Sequence, residues 1–309
     1  MNRVCVLGSM NMDIVLKVNN MPKVGETIFA NDLQNVPGGK GANQAVAAKR
    51  LGSEVYMISK VGSDSTGETL TKSLVQDNIN VNFIFKDEKN PTGTAVISVD
   101  QDGNNSIIVA AGANMSIKKE EIEKAEKVIR ECQILISQFE TPVETTIEAF
   151  KMAKSAGKVT ILNPAPAKKI PEQLLKYTDI VVPNETEAYE LTGVTVKDLD
   201  SAKEAAKKFM EKGVKYTIIT LGANGAAVIS EDKSEIVEAY KVKAVDTTAA
   251  GDTFIGGFSS KLNADNLCFE GIKRAVKFGN KCSSIAVQRE GAQPSIPYLK
   301  EIIEVYGED

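Results

Sequence analysis

Short runs of apolar residues rich in Val and Ile recur along the chain without alternating polar positions. They cover residues 4–8, 55–61, 134–138, 159–162, 179–182 and 216–221. A strand covered on both faces has no solvent side, so such unbroken runs predict buried strands. Between them the apolar spacing becomes helical. Residues 120–132 place Ile122, Ala125, Val128, Ile129 and Cys132 on one stripe. Residues 143–156 close at Gly157, a residue suited to the left-handed turn that ends helices. Residues 201–212 start on Ser201, a capping residue, and stop at Gly213. Strand-helix-strand order over most of the chain implies a parallel sheet with helices on both faces, an α/β fold.

Two stretches break this rhythm. Residues 12–37 hold short strand-like pieces around Pro22 and Gly25. Residues 93–111 hold two β runs, 94–99 and 106–110, joined through Asp102-Gly103-Asn104 as a hairpin. Neither carries a helix. Together they read as one small antiparallel sheet built from two insertions, a flap; the alternative is an extension of the main sheet's edge. The pattern shows no repeat, low-complexity tract or linker, so residues 1–309 read as a single domain.

Composition narrows the class. Hydrophobic residues are 42% and charged residues 25% of the chain, a globular balance. Lys and Arg total 37 against 41 Asp and Glu, with no basic cluster, which argues against a nucleic-acid partner. Residues 1–8 read as a first strand without the longer apolar stretch of a signal peptide, and no run approaches the roughly 20 apolar residues of a membrane span. There is no His at all, which removes Ser-His-Asp and Cys-His nucleophiles and His–zinc sites. Cys5, Cys132, Cys268 and Cys282 form no CxxC pair, so a zinc ribbon or dithiol motif is not expected; lone cysteines in apolar segments fit a reducing cytoplasm.

In open α/β sheets ligands sit beyond the carboxyl ends of the strands. Five strands in succession end there in polar or glycine-rich residues: Ser9 to Asp13, Glu140, Asn163-Pro164-Ala165-Pro166, Asn184-Glu185-Thr186-Glu187 and Leu221-Gly222-Ala223-Asn224-Gly225. One polar end is ordinary; five on one rim predict a cleft. Pro37-Gly38-Gly39-Lys40-Gly41-Ala42-Asn43-Gln44-Ala45 runs into an apolar helix. Its glycines allow close backbone approach to a polar ligand, or make only a tight entry turn; Lys40 and Asn43 favour binding. Neither a GxxxxGK[ST] loop nor a GxGxxG fingerprint is present, which counts against a dehydrogenase.

Asp246-Thr247-Thr248-Ala249-Ala250-Gly251-Asp252 precedes a further helix. A small-residue run lets backbone N–H groups form an anion nest for a transferring phosphoryl group. Asp252 at the helix start suits a general base for a substrate hydroxyl. Asp is also a favoured N-cap, but a mere cap does not need the small residues before it. Residues 286–295 taken alone read only as a loop.

The two glycine-containing motifs resemble those of the PfkB carbohydrate kinase family, and the resemblance covers essentially the whole chain. It implies a three-layer α/β/α sandwich with a mostly parallel central sheet and a small β-sheet lid. It implies ATP-dependent phosphorylation of the 5-hydroxyl of D-ribose, matched further by Asn11-Met12-Asp13, Asn163 to Ala167, Asn184 to Glu187 and Gly291-Ala292-Gln293-Pro294-Ser295. Deoxyribose, fructose or a nucleoside is the alternative acceptor, and a non-catalytic sugar-binding protein a rival of another class. By motif, Asn11, Asp13, Gly39, Lys40, Gly41, Ala42, Asn43 and Glu140 would bind sugar. Asp252 would be the base, with Ala249, Ala250 and Gly251 as the anion hole. Asn184, Thr220, Leu221, Gly222, Ala223, Asn224, Gly225, Gly251 and Asn280 would hold ATP, and Glu187 would organise Mg²⁺ through water. Asp246, Thr248, Ala286, Arg289, Gly291 and Ser295 would ring a K⁺ ion. The lid insertions would also pair two subunits.

Overall fold

The computed structural model describes residues 1–308. Its strands are β1 (Arg3–Leu7), β2 (Asn11–Lys17), β3 (Asp32–Gly38), β4 (Glu54–Gly62), β5 (Asn80–Asp87), β6 (Gly93–Val99), β7 (Asn105–Ala110), β8 (Ile134–Ser137), β9 (Val159–Leu162), β10 (Ile180–Val181), β11 (Tyr216–Thr220), β12 (Ala226–Ile229) and β13 (Ser234–Val237). Nine form one sheet in the order β13-β12-β11-β10-β9-β8-β1-β4-β5. It is parallel from β11 to β5; β12 pairs antiparallel with both β11 and β13, so β12 alone runs against the rest.

Alternate residues of the buried strands feed opposite faces. Val4 and Val6 of β1 join the core beneath the helices Lys40–Arg50, Ala250–Lys261 and Phe269–Ala286. Cys5 and Leu7 join the core on the other face, with Ile122, Ile129 and Phe150. Two covered faces are why these strands lack a polar side.

The packing of Lys40–Arg50 on Ala250–Lys261 positions the site. A Cβ at Gly256 would lie 2.3 Å from that of Ala47, so only glycine lets these helices approach so closely. Asn43 and Asp252 each precede that contact by one helical turn. The two motifs, distant in sequence, are thereby brought face to face.

Four details differ from the sequence reading. The predicted 120–132 helix is two helices, Lys119–Lys124 and Glu126–Glu131, separated at Ala125; its apolar stripe is nonetheless buried. The predicted 201–212 helix begins at Leu199, and its cap is Asp198, whose carboxylate accepts from the Ser201 N–H. An ionised side chain suits the positive end of the helix better than a hydroxyl does. The third difference is the lid, a separate four-stranded sheet of order β3-β2-β6-β7. Its hairpins β2–β3 and β6–β7 are antiparallel, but β2 and β6 pair in parallel, so the sheet is mixed. The strand β2 follows β1 and β6 follows β5, and those two run the same way in the main sheet, so both leave its rim in one direction. The expected turn is present, with Gly103 at φ 82. Fourth, the N-cap alternative weighed for Asp252 falls away: Ala249 takes that position, and Asp252 lies in the first turn.

Candidate active site

The five strands with polar ends prove contiguous, in the order β11-β10-β9-β8-β1. Their ends form one rim, with Asn11, Asp13 and Glu140 at one side and Asn184, Glu187 and the residues after Thr220 at the other. Between them lies a cavity of about 190 Å³, lined by Lys40, Asn163, Asn184, Glu187, Thr220, Thr247 and residues 249–252 among others.

The two helices that open onto this rim differ at their N-termini. In Lys40–Arg50 the first N–H groups are already paired. Lys40 N donates to Glu140 at 3.2 Å, Gly41 N to the Ser9 hydroxyl at 3.3 Å and Ala42 N to the Ser9 carbonyl at 2.9 Å. Ser9 also donates a short hydrogen bond to the Glu140 carboxylate. Gly39, at φ 89, makes the entry turn, and a Cβ there would lie 2.7 Å from the Asn11 nitrogen. This motif therefore brings backbone close to Ser9, Asn11 and Glu140; its N–H groups are not a vacant anion site.

The helix Ala250–Lys261 is the reverse. Ala250 N donates to Thr247 O at 3.2 Å and Thr253 N to Ala249 O at 2.8 Å, while the N–H groups of Ala249, Gly251 and Asp252 have no acceptor among the described residues. Ala249 holds the left-handed conformation, φ 57, one of two non-glycine residues with positive φ among the described residues. A left-handed residue ahead of helical ones turns successive N–H groups to one side, the geometry of an anion nest. Such backbone is costly and is retained where function needs it.

Asp252 is buried, and each carboxylate oxygen holds one amide donor. Asn43 Nδ2 donates to one at 3.0 Å and Gln44 Nε2 to the other at 2.9 Å. The Asn43 carbonyl oxygen is buried without a partner, an acceptor ready for a ligand hydroxyl. Lys40 stands among acids: burial alone would lower its pKa, but Asp252, Glu140, Glu187 and Asp13 raise it, so it stays protonated. Burial raises the Glu187 carboxyl. Burial, with Glu140 and Asp252 nearby, pushes Asp13 up to about 7 against the pull of Lys40.

Asp13 therefore holds its proton to higher pH than an ordinary carboxyl does. Hydroxyl donors favour the carboxylate form, so ligand binding expels that proton. Affinity for a polyhydroxyl ligand is expected to fall as pH drops below 7 and to level off above it. Calorimetry in buffers of different ionisation enthalpy should register proton release near pH 7; identical heats in all buffers would remove Asp13 from the binding set.

On the far side, Asn184 caps the helix Glu185–Thr192 and Glu187 closes a capping box with it. An isolated bridge ties Asn184 to Thr220, ahead of the turn Gly222–Asn224. Asn280 is buried and donates its amide to the carbonyls of Val237 and Glu238 at 3.0 and 3.1 Å, which leaves only its oxygen for a ligand. Asp246 accepts from Thr248 N and Oγ1 at 2.8 and 2.6 Å and from Gly291 N at 2.8 Å, joining the nest segment to the 286–295 loop. The carbonyls of Thr248, Arg289 and Gly291 accept no hydrogen bond among the described residues. Sequence reasoning missed Asn114, which accepts from Met10 N and donates to Asn11 Oδ1 at 2.7 Å, and Gln44 and Gln138. No signal in the sequence marks Asn114, which lies in a short turn beyond the lid hairpin.

Residues 1–299 match the profile of the pfkB family carbohydrate kinases. The chain is 42% identical over 305 residues to the ribokinase of Staphylococcus aureus, covering 98% of this chain and 99% of that protein. It is 36% identical over 304 residues to the deoxyribokinase of Salmonella typhi, covering 97% of each. The solved structure of Arabidopsis thaliana ribokinase complexed with ribose and ATP superposes with a TM-score of 0.90 at 32% identity, covering 100% of this chain and 99% of that one.

Proposed function

The chain belongs to the pfkB family of carbohydrate kinases, and from that premise we propose how its residues act. It transfers the terminal phosphoryl group of ATP to D-ribose, at the 5-hydroxyl, giving D-ribose 5-phosphate and ADP. The observation that carries the residue assignment is a single helix start. It presents the unpaired N–H groups of Gly251 and Asp252 and the buried Asp252 carboxylate to one cavity.

Asn11, Asp13, Asn43 and Glu140 hold the sugar hydroxyls, while Gly39, Gly41 and Ala42 shape the backbone around them and Lys40 balances the acids. Asp252 takes the proton of the 5-hydroxyl as that oxygen bonds to phosphorus and the bond to ADP breaks. The N–H groups of Ala249, Gly251 and Asp252 meet the charge on the transferring group; that of Ala250, expected to join them, is spent on Thr247. Asn184, Thr220 and the turn from Leu221 to Gly225 cradle the nucleotide; Asn280 contributes only its oxygen. Mg²⁺ fits Glu187, which lines the cavity and would meet the ion through water, neutralising phosphate charge. K⁺ fits the unpaired carbonyls beside Asp246, with Ala286 and Ser295 completing the ring.

A second reading, 2-deoxyribose as acceptor, is favoured by the likeness to a deoxyribokinase. A coupled assay with D-ribose, 2-deoxy-D-ribose, D-fructose and adenosine at saturating MgATP is expected to give the highest kcat/KM with ribose. A higher value for any other acceptor replaces ribose in this reading.

The lid closes over the sugar to keep water from the donor. Adjacent residues Ile107 and Ile108 of β7 point to opposite faces and are 54% and 71% exposed, so an open, solitary lid leaves both faces apolar. One face suits the sugar and the other a second subunit, a homodimer. Among the described residues no helix is long and apolar enough to cross a membrane; we place the enzyme in the cytoplasm, beside its ATP. Hydrogen exchange across residues 93–111 is expected to slow on adding ribose, and sedimentation to show a dimer. Unchanged exchange at saturating sugar counts against closure, and a clean monomer at micromolar concentration removes the pairing.

A further inference from the structure

Beneath Asp252 lies a chain of buried amides that the reaction as described does not use. Gln44 is fully buried in the helix Lys40–Arg50. Its Nε2 donates to Asp252 Oδ1 at 2.9 Å and to Asn163 Oδ1 at 3.1 Å, and its Oε1 accepts from Gln138 Nε2 at 2.6 Å. Asn163 in turn donates to Val182 O at 3.0 Å. Gln138, also fully buried, follows β8 and has an Oε1 with no partner among the described residues. A Cβ at Gly8 would lie 2.2 Å from that oxygen, so the backbone there leaves just enough room for the Gln138 side chain.

A buried acceptor without a partner is destabilising, and an apolar side chain of the same shape would avoid it. What Gln138 supplies is direction. An amide beside a carboxylate can present either its NH₂ or its oxygen, and only the NH₂ attracts. The Gln138 donor holds the Gln44 oxygen away from Asp252 and so turns the Gln44 NH₂ toward it. With Asn43 on the other oxygen, the plane of the carboxylate is fixed, and its remaining lone pairs are the ones reachable from the cavity.

We propose that Gln44, oriented by Gln138, is a positioning residue for Asp252, setting the carboxylate in the plane from which it accepts the hydroxyl proton. The inference rests on Asp252 being the base. Neither glutamine lines the cavity, so their loss should act on turnover and not on sugar binding.

The test measures kcat and the ribose KM at saturating MgATP for Gln44→Met, Gln138→Met, Gln138→Glu and the double Met variant, beside Asp252→Asn. Gln44→Met is expected to lower kcat by about 10- to 100-fold, the scale of a misplaced catalytic group, with KM within about threefold. Gln138→Met should fall in the same direction by less and add nothing in the double variant. Gln138→Glu is nearly isosteric, but an ionised carboxylate only accepts. It draws the Gln44 NH₂ away from Asp252 and should be worse than Gln138→Met. A purely structural pair predicts lower melting temperatures with wild-type kcat per folded molecule, and additive losses. Wild-type kcat in folded Gln44→Met, or a Gln138→Glu variant as active as wild type, overturns the proposal. If Gln44→Met does not fold, the order of the two Gln138 variants still decides. An active Asp252→Asn would overturn the base itself; an impaired one with wild-type glutamine variants would remove only the relay.

Discussion

Asp252→Asn is expected to lower kcat by at least about 10²-fold, the low end for general-base catalysis. The ribose KM should change only modestly. The amide has nearly the size of the carboxylate but cannot take up the hydroxyl proton. Its NH₂ would also face Asn43 Nδ2 or Gln44 Nε2, which donate to the carboxylate at 3.0 and 2.9 Å. One of these contacts must turn from attraction to repulsion, so reorientation adds to the loss of the base. Steady-state kinetics on the folded variant checks this. More than a tenth of wild-type turnover would exclude Asp252 as the base, and the fold would then have to place another carboxylate against the nest. Glu187 is the other acid lining the cavity among the described residues, on the helix Glu185–Thr192.

The second large effect concerns the monovalent cation. Asp246 bonds Thr248 on its own segment and Gly291 across the gap, so it already ties the nest to the 286–295 loop. Burial would raise its pKa, but these hydrogen bonds outweigh burial and hold it below the usual carboxylate range, so it is ionised at neutral pH. With the carbonyls of Thr248, Arg289 and Gly291, which accept no hydrogen bond among the described residues, it would offer oxygen ligands to a large monovalent ion, K⁺ better than Na⁺. Held there, such an ion would steady the backbone that aims the N–H groups. Preorganised donors are each worth roughly 10²–10³ in rate. Clear activation by K⁺ over Na⁺ is therefore expected at constant ionic strength and saturating Mg²⁺. Asp246→Ala should lose most of that activation while ribose binding stays near normal. K⁺ should also raise the melting temperature of the wild type more than Na⁺ does. Equal rates and equal melting shifts in the two salts would leave Asp246 as a turn anchor alone.

Much of this site was legible because its signals are local. A polar residue after an apolar run marks the rim wherever the strand falls in the sheet, and glycines ahead of a helical stripe mark a close approach. Asp13, Glu140 and Asn184 were placed on the rim that way, and Asp252 by the small residues ahead of its helix. The amide chain was not, because its partners are far apart: Gln44 meets Gln138 across 94 positions and Asn163 across 119. A glutamine beside Asn43 at the head of an alanine-rich helix has no period of its own. The capped state of the Lys40–Arg50 N-terminus was hidden for the same reason, since Ser9 and Glu140 come from other strands. The parallel join of β2 to β6 depends on strand direction in the main sheet, which no stretch of either hairpin encodes. Asp198 was local and legible; the helical pattern placed the start at Ser201, three residues late, although Asp at N-cap with Ser at N3 forms a capping box.

In the proposed reaction Asp252 and the adjoining nest act together on a sugar hydroxyl and a phosphoryl group in one cavity. A crystal structure with D-ribose and a non-hydrolysable ATP analogue tests it most directly. The 5-hydroxyl is expected within hydrogen-bond distance of the Asp252 carboxylate, with the terminal phosphate facing the N–H groups of Gly251 and Asp252. A ribose bound with its 5-hydroxyl turned away from Asp252, or a terminal phosphate held elsewhere than at that helix start, would contradict it.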